Sequence, residues 1–273
     1  MRCAVLGEPI EHSLSPVLHR AAYAALGLDW TYDAVRVPSG GLTAFLDGLD
    51  ASWRGLSLTM PLKREVMPLL TSRDPWAEAS GAANTVLLDE GGRHGLNTDV
   101  PGAIAAIREA TAAPVDRALV LGGGATAASM VLALGELGCD SVTLLVREPA
   151  RAQETVAIAS HGRHRPVVRV ERLGDLATVQ APEADILVST VPAAAQTPAL
   201  VEATSAVPVV FDVVYDPWPT PLLAAARADG RTVVTGLDLL LWQAVDQVRA
   251  MTGRFDVPVD TMREAGSRAL STP

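Results

Sequence analysis

The sequence predicts an α/β fold in which strands and helices alternate along most of the chain. An apolar run over residues 118–121 leads into three glycines and then into a helical pattern. In the first hundred residues, short apolar runs also alternate with helical patterns, an order that gives parallel or mostly parallel sheets. Hydrophobic residues make up 49% of the 273 residues, enough for the cores of one large or two modest domains.

Charge and cysteine content limit the classes of partner. Lysine and arginine number 22 and acidic residues 31, which gives a net charge of −9. This balance argues against a nucleic-acid partner or an anionic membrane, whereas a small anionic substrate needs only local positive charge. Cys3 and Cys139 are the two cysteines and form no disulfide framework or metal-type spacing, so we expect a cytoplasmic protein. The first apolar run breaks at residue 7, too early for a signal peptide.

Elements of the first hundred residues follow from periodicity and turn signals. Strands are predicted at residues 3–6, 30–37, 56–59 and 86–88, with a hairpin return through 94–97. Helices are predicted at 16–26, at 42–49, after Asp74-Pro75, and from about 99 to 110.

Polar residues at the ends of these elements are the first candidate ligand groups. Ser15 before Pro16 is typical of a helix N-cap, which alone would explain it. Ser13 has no such local role, and two hydroxyls beside a helix N-terminus suit a hydroxylated or carboxylated ligand. Thr59 and Lys63 follow a strand, where parallel sheets bind ligands. Lys63 is either a solvated lysine at a helix start, a position that mildly opposes the helix dipole, or a functional residue.

The glycine segment has the features of a dinucleotide-binding turn. Gly122 would make the tight turn after the strand, Gly124 would let a pyrophosphate approach the backbone, and Ala127 would allow close helix packing. The helix is expected to stop at Gly138, and the next strand is predicted at residues 141–146. An ordinary tight turn is the alternative explanation of the glycines.

The residues after that next strand bear on the choice of cofactor. An arginine at this position favours the 2′-phosphate of NADP, and an acidic residue favours the ribose hydroxyls of NAD. Arg147 comes first and Arg151 follows at helical spacing, which favours NADP over NAD. Glu148 either opposes a phosphate or caps a helix that begins at Pro149. Two solvated surface arginines are the alternative.

The rest of the chain completes the second predicted sheet. Strands are predicted at residues 167–170, 186–189, 209–214 and 232–234, and a helix at 237–251 with Gln243 bordering its apolar face. Residues 212–221 are too rich in proline for a helix. His161 and His164 fall in a loop without a third metal ligand nearby, so no metal site is predicted.

Motifs along nearly the whole chain resemble those of the shikimate dehydrogenase family. They comprise the segments at residues 7–19, 58–63, 81–85, 97–102, 122–126, 215–222 and 236–244. Each is weak alone, but seven in this order and spacing are specific. The resemblance implies NADPH-dependent reduction of 3-dehydroshikimate to shikimate, in the aromatic amino-acid and chorismate pathway, with small-molecule partners and a monomeric or homodimeric chain.

The resemblance also implies a domain plan and a set of roles. Residues 1–100 and 237–273 would form the substrate domain and 101–236 a Rossmann-type NADP-binding domain, with the nicotinamide in a cleft between them. Lys63 and Asp99 would form the catalytic pair, and a helix N-cap alone is the alternative explanation of Asp99. The substrate would be held by Ser13, Ser15, Thr59, Asn84, Tyr215 and Gln243. The cofactor would be held by Gly122, Gly123, Gly124, Ala125, Thr126, Arg147, Arg151, Thr190 and Gly236.

Other members of the family leave alternatives open. Some reduce quinate-type or aminated substrates, and some use NAD. Ser57 and Arg20 stand where asparagine is common in the family, and Glu148 stands where serine or threonine is common. A non-catalytic NADP-binding regulator is a third hypothesis, although it would need neither Lys63 nor Asp99.

Overall fold

The computed structural model describes residues 1–173 and 183–271, and the chain divides into two compact units. The first comprises Met1–Thr98 and Leu240–Pro273, and the second comprises Asp99–Leu239. The two boundaries fall two to three residues from the expected positions, so Asp99 packs with the second unit. The second boundary falls inside a continuous helix, which the sequence pattern alone does not mark.

The first unit contains a six-stranded sheet. Its strands are β1 (Arg2–Gly7), β2 (Thr31–Arg36), β3 (Trp53–Leu58), β4 (Ser72–Arg73), β5 (Thr85–Asp89) and β6 (Gly92–Leu96). They lie in the order β2-β1-β3-β5-β6-β4. The pairs β1/β2, β1/β3 and β4/β6 are parallel, and β3/β5 and β5/β6 are antiparallel. The parallel pairs β1/β2 and β1/β3 follow from the β-α-β order, and the antiparallel pair β5/β6 from the hairpin at Gly91-Gly92.

Six helices belong wholly or largely to this unit. Four precede residue 98: α1 (Ser15–Ala25), α2 (Leu42–Asp47), α3 (Leu62–Glu65) and α4 (Pro75–Ser80), with a 3₁₀ turn at Met67–Leu69. Two come at the end of the chain: a long helix at Gly236–Thr252 and a last helix at Val259–Ser271, which packs on α1. Leu6, Leu56, Leu58, Leu62 and Val86 belong to one buried apolar cluster. Every residue of β1 after Arg2 is buried, so this strand is covered on both faces.

The second unit contains a parallel six-stranded sheet. Its strands are β7 (Arg117–Leu121), β8 (Ser141–Val146), β9 (Val167–Arg172), β10 (Ile186–Ser189), β11 (Val209–Asp212) and β12 (Thr232–Thr235). Its helices are α5 (Asp99–Ala110), α6 (Ala125–Glu136), α7 (Gln153–Ile158), α8 (Pro198–Ala203) and α9 (Pro221–Ala228), which makes the two terminal helices α10 and α11. The strand order is β12-β11-β10-β7-β8-β9. This is the doubly wound order of dinucleotide-binding sheets, whose direction switches between β7 and β10.

Some local predictions agree with the structure and others do not. Helix α6 ends as expected, because Gly138 adopts φ +92° just beyond it. The proline-rich segment after β11 is not helical, but α9 begins at its last proline, with Thr220 accepting a hydrogen bond from Leu223 N as the N-cap. The two-residue strand β4 and the short helix α8 were not predicted, since neither is long enough to show a period. None of the helices within the described residues is long and apolar enough to cross a bilayer.

Candidate active site

The glycine turn after β7 is formed by backbone geometry. Gly122 has φ +109°, a left-handed conformation that residues with a Cβ avoid. A Cβ at this position would also collide with Thr190 Oγ1. At Gly123, a Cβ would lie 3.2 Å from Val146 Cγ1. The turn therefore needs glycine at its first position for conformation and space, as the motif predicts.

The third glycine leaves room for a ligand. Gly124 is exposed, and no protein atom lies within 4 Å of the position that its Cβ would take. It directly precedes the twelve-residue helix α6, whose first amides have no acceptor within the helix and carry the positive end of its dipole. Ala125 and Thr126 are partly exposed there. An open backbone at a helix N-terminus fits the pyrophosphate of a dinucleotide.

Thr190 joins the two strands that flank the switch point. Its amide and its hydroxyl both donate to Leu121 O, at 2.9 and 2.8 Å. The end of β10 is thereby held against the end of β7, beside Gly122. Thr190 is thus placed at the edge where ligands of such sheets bind. Its hydroxyl proton, however, is used in the hydrogen bond to Leu121 O.

The segment after β8 that carries the predicted cofactor residue Arg147 is solvent-exposed. Arg147 and Glu148 are both exposed. Glu148 precedes a 3₁₀ turn at Pro149–Ala152 and makes no capping hydrogen bond with its side chain. The expectation that it caps a helix begun by Pro149 is therefore wrong, and α7 starts only at Gln153. The side chain of Arg151 lies outside the described part of the structure.

The hydroxyls at the start of α1 have different roles from those expected. Ser15 is the first residue of the helix rather than its cap, and Leu14 at the cap position makes no side-chain hydrogen bond. Ser13 does have a local role, because its Oγ lies 3.4 Å from the amide of Ser15. Capping therefore does not explain Ser15, which is 6% exposed.

The segment carrying Thr59 and Lys63 is fixed by its backbone. Thr59 N donates to Leu6 O at 2.9 Å, and Lys63 O accepts from Ala83 N at 2.9 Å. A Cβ at Gly7 would collide with the side chain of Thr59, so Gly7 permits this close approach. Because α3 is a single turn of four residues, Lys63 lies in its last turn as well as its first, and the dipole argument from the sequence does not apply. Lys63 itself is half-buried.

Two further residues of the first unit, Asn84 and Gln243, are brought together although 159 positions separate them. Asn84 is 1% exposed, and its Nδ2 donates to Gln243 Oε1 at 2.8 Å. Asn84 Oδ1 accepts from Thr98 N at 2.9 Å and from Thr85 Oγ1 at 2.9 Å. Because a backbone amide can only donate, Thr98 fixes which end of the Asn84 amide is the oxygen.

Sequence reasoning missed a set of buried polar residues behind Asn84. Gln247 contacts Thr85, Ser57 and His19, and Ser57 in turn accepts from Tyr32 OH at 2.6 Å. Gln247 lies one turn after Gln243 on α10, on the buried side. The available signal was a polar residue at i+4 within an apolar helical stripe.

The second unit holds Tyr215, Gly236 and Asp99. Tyr215 is half-buried, and a Cβ at Gly236 would lie 3.1 Å from its ring and 2.8 Å from the carbonyl carbon of Val213. Gly236 therefore has a packing role beside the predicted cofactor role. Asp99 is 1% exposed and is the first residue of α5, inside the helix rather than at the cap before it.

Asp212, also missed from the sequence, secures the segment that carries Tyr215. Its carboxylate accepts from Gln196 Nε2 at 2.7 Å, Thr220 Oγ1 at 2.6 Å and Val214 N at 3.2 Å. Burial raises the pKa of this carboxyl, and the hydrogen bonds from Thr220 and Gln196 oppose that shift. The loop between β11 and α9 is thus held at both ends by one buried carboxylate.

The sheet order, the glycine turn and the open backbone at Gly124 define the second unit as a dinucleotide-binding domain. Residues 5–86 match the model of the shikimate dehydrogenase substrate binding domain, and residues 236–265 match that of the shikimate 5'-dehydrogenase C-terminal domain. The shikimate dehydrogenase (NADP(+)) of Moorella thermoacetica is 39% identical over 268 residues, covering 95% of this chain and 90% of that protein. The chain belongs to the shikimate dehydrogenase family.

Solved structures extend the comparison to the fold. Shikimate 5-dehydrogenase from Thermus thermophilus, in complex with NADP(H) and shikimate, matches with a TM-score of 0.84 and 34% identity over 98% of this chain and 99% of that one. Quinate dehydrogenase from Corynebacterium glutamicum, in complex with NAD, matches with a TM-score of 0.86 and 30% identity over 98% and 99% of the two chains. One fold therefore serves both substrates and both cofactors among the relatives.

Proposed function

We propose that this chain is a cytoplasmic, NADP-dependent shikimate dehydrogenase that interconverts 3-dehydroshikimate and shikimate. The main support for this proposal is that the chain is similar, over nearly its full length, to the Thermus enzyme that binds NADP(H) and shikimate. Both cysteines are buried, in keeping with a reducing compartment. Sedimentation would distinguish the monomer from the homodimer, both of which the proposal includes.

The second unit is proposed to bind NADP. Gly122, Gly123 and Gly124 shape the turn, and Ala125 and Thr126 present helix amides to the pyrophosphate. Arg147 is proposed to pair with the 2′-phosphate, which a guanidinium can contact through two parallel hydrogen bonds. Arg151, Thr190 and Gly236 complete the proposed cofactor residues.

The catalytic roles are proposed for Lys63 and Asp99. The nicotinamide supplies the hydride. Reduction of a ketone builds negative charge on its oxygen, and the Lys63 ammonium would stabilise that charge and supply the proton. The Asp99 carboxylate would orient the lysine and the reacting hydroxyl. Substrate hydroxyls and carboxylate would be held by Ser13, Ser15, Thr59, Asn84, Tyr215 and Gln243.

A second candidate is a quinate dehydrogenase that uses NAD. The observation in its favour is Glu148, an exposed carboxylate directly beside Arg147 at the tip of β8. A carboxylate at this position suits the ribose hydroxyls of NAD and opposes the 2′-phosphate of NADP.

The first experiment is a set of parallel assays with purified protein. Absorbance of the reduced nicotinamide is followed with shikimate, quinate or aminoshikimate, each with NADP and with NAD. Higher kcat/KM for shikimate with NADP supports the proposal. Preference for quinate and NAD would establish the second candidate, and NADP binding without turnover of any substrate would indicate a regulator.

A further inference from the structure

A continuous row of buried hydrogen bonds runs through the first unit from Asn84 to Tyr32. Thr85 Oγ1 lies 2.9 Å from Asn84 Oδ1 and 3.0 Å from Gln247 Nε2. Gln247 Oε1 lies 2.9 Å from Ser57 Oγ, and Ser57 Oγ lies 2.6 Å from Tyr32 OH. All five residues are less than 5% exposed, so water does not compete for these groups.

The donor and the acceptor of each hydrogen bond in this row follow from the number of protons that each group carries. Gln247 Nε2 donates to Thr85, so the single proton of the Thr85 hydroxyl is available for Asn84 Oδ1. Ser57 donates to Gln247 Oε1, so Tyr32 donates to Ser57. Each of the Thr85 and Ser57 hydroxyls accepts one hydrogen bond and donates one, a fully satisfied arrangement that fixes each amide in one orientation.

His19 completes the surroundings of Gln247. Its Nε2 lies 3.1 Å from Gln247 Oε1, and its ring stacks on Tyr32 with centroids 3.9 Å apart. Burial lowers the pKa of His19 to about 3, and the hydrogen bond with Gln247 opposes that shift. The neutral ring therefore donates from Nε2 to Gln247 Oε1, which directs the other end of the amide at Thr85.

The hydrogen bonds of Asn84 also determine the orientation of the Gln243 amide. With Asn84 Oδ1 held by Thr98 N and Thr85 Oγ1, Asn84 Nδ2 donates to Gln243 Oε1. Gln243 is partly exposed, and among the described residues its Nε2 has no hydrogen-bond acceptor. The Nε2 group is thus oriented as a donor to a ligand oxygen.

We propose that Gln247 is a positioning residue that, through Thr85, holds Asn84 and Gln243 in the orientation that binds the hydroxyls of the substrate. This inference rests on the proposed function, because it assigns Asn84 and Gln243 to substrate binding. Gln247 acts on the substrate only through these residues. Its loss would weaken substrate binding rather than the chemical step.

The test compares variants that separate hydrogen bonding from packing. Gln247→Met removes both polar ends of the amide at similar length. Thr85→Val removes the hydroxyl and keeps the shape, whereas Thr85→Ser keeps the hydroxyl and loses a methyl group. Thr204→Val is the matched control, because it removes a buried hydroxyl of the second unit that donates to Leu200 O at 2.9 Å, away from the Thr85 branch.

We expect Gln247→Met and Thr85→Val to raise the KM for shikimate about tenfold, with kcat changed less than about threefold and the KM for NADP unchanged. Thr85→Ser should keep the wild-type KM even if its Tm falls, and Thr204→Val should lower Tm alone. Lower Tm with unchanged shikimate KM in Gln247→Met and Thr85→Val would overturn the proposal, as would equal KM increases in Thr85→Val and Thr85→Ser. Absence of turnover in the wild type would instead refute the proposed function.

Discussion

The candidate binding groups of the second unit are backbone amides, whereas those of the first unit are side chains. In the second unit, the turn at Gly122–Gly124 and the first turn of α6 form one short stretch whose ligand groups are backbone amides. In the first unit, the polar groups are side chains from β3, the start of β5 and the buried face of α10, joined by hydrogen bonds across up to 190 positions.

This difference has a physical consequence. A backbone site depends on the conformation of a few residues and tolerates side-chain changes that keep that conformation. A buried side-chain network depends on every member, because one missing donor leaves another polar group unsatisfied at a cost of about 1–3 kcal/mol. Variants in the two units should therefore differ in which of activity, cofactor choice and stability they change.

Lys63→Ala should have the largest effect, and it should lower catalysis without changing cofactor binding. Loss of the ammonium should lower kcat about 10²–10⁴-fold, because the proton donor to the developing alkoxide is removed. Stopped-flow or steady-state reduction of NADP with shikimate measures this effect. NADP binding, followed by tryptophan fluorescence, should remain at the wild-type affinity, because the amides proposed to hold the cofactor are in the other unit. Turnover near the wild-type rate would contradict the role assigned to Lys63.

Arg147→Ala should change cofactor choice and nothing in the first unit. Removal of a charge-assisted contact to the 2′-phosphate should raise the KM for NADP about 10–100-fold and leave the KM for NAD within about twofold. Kinetics with both cofactors at saturating shikimate measure the ratio. Glu148→Ala is the matched variant at the neighbouring exposed position, and it should favour NADP further. Equal losses with both cofactors after Arg147→Ala would show that Arg147 does not read the phosphate.

The first and third glycines of the turn should differ in their effect on stability. Gly122→Ala should lower the free energy of unfolding by about 1–3 kcal/mol, because φ +109° is strained for alanine and its Cβ collides with Thr190. Gly124→Ala should change it by less than about 0.5 kcal/mol, because φ is −87° and the space is open. Urea unfolding measures both values.

The same pair tests where the cofactor lies. Gly124→Ala should weaken NADP binding about tenfold, because the new methyl group occupies the space proposed for the pyrophosphate. Calorimetric titration with NADP gives this value. Unchanged affinity in a stable Gly124→Ala protein would place the pyrophosphate elsewhere.

His19 should make the first unit sensitive to acid. Its pKa is about 3 in the folded chain, against 6.5 for an ordinary histidine. Between these values the unfolded chain binds a proton that the folded chain does not, so the free energy of unfolding should fall as pH drops below about 6.5, by up to about 1.4 kcal/mol per pH unit. Above that pH the contribution is constant.

The measurement is urea unfolding of wild type and His19→Gln from pH 8 to pH 5. The variant should lose less stability over this range than the wild type. His161→Gln, at an exposed position, is the control and should keep the wild-type slope. Parallel slopes for wild type and His19→Gln would show that His19 does not carry the pH dependence.

Much of the second unit was predictable because its information is local. The predicted strand at residues 141–146 coincides with β8, and the predicted strand at 186–189 coincides with β10. The glycine turn was identified from a strand, three glycines and a helical pattern in contiguous sequence. The prediction that a helix begins at Pro149 was wrong, because a 3₁₀ turn and an α-helix begin with the same residues.

The first unit shows where local information ends. Ser15 before Pro16 has the sequence pattern of an N-cap, yet it is the first residue of α1. The cap and the first helical position are one residue apart, and a local pattern does not distinguish them. Gln247, Thr85, Ser57 and Tyr32 carry no motif of their own, and they meet only after β3, β5 and α10 have packed.

By itself the sequence determined the α/β class, the order of elements and the glycine turn, since periodicity and backbone conformation depend on neighbouring residues. The tertiary structure decided the strand order of both sheets and the partners of Asn84, Asp212 and Gln247. These depend on contacts between residues that are distant in the chain, and burial then makes each hydrogen bond between them necessary.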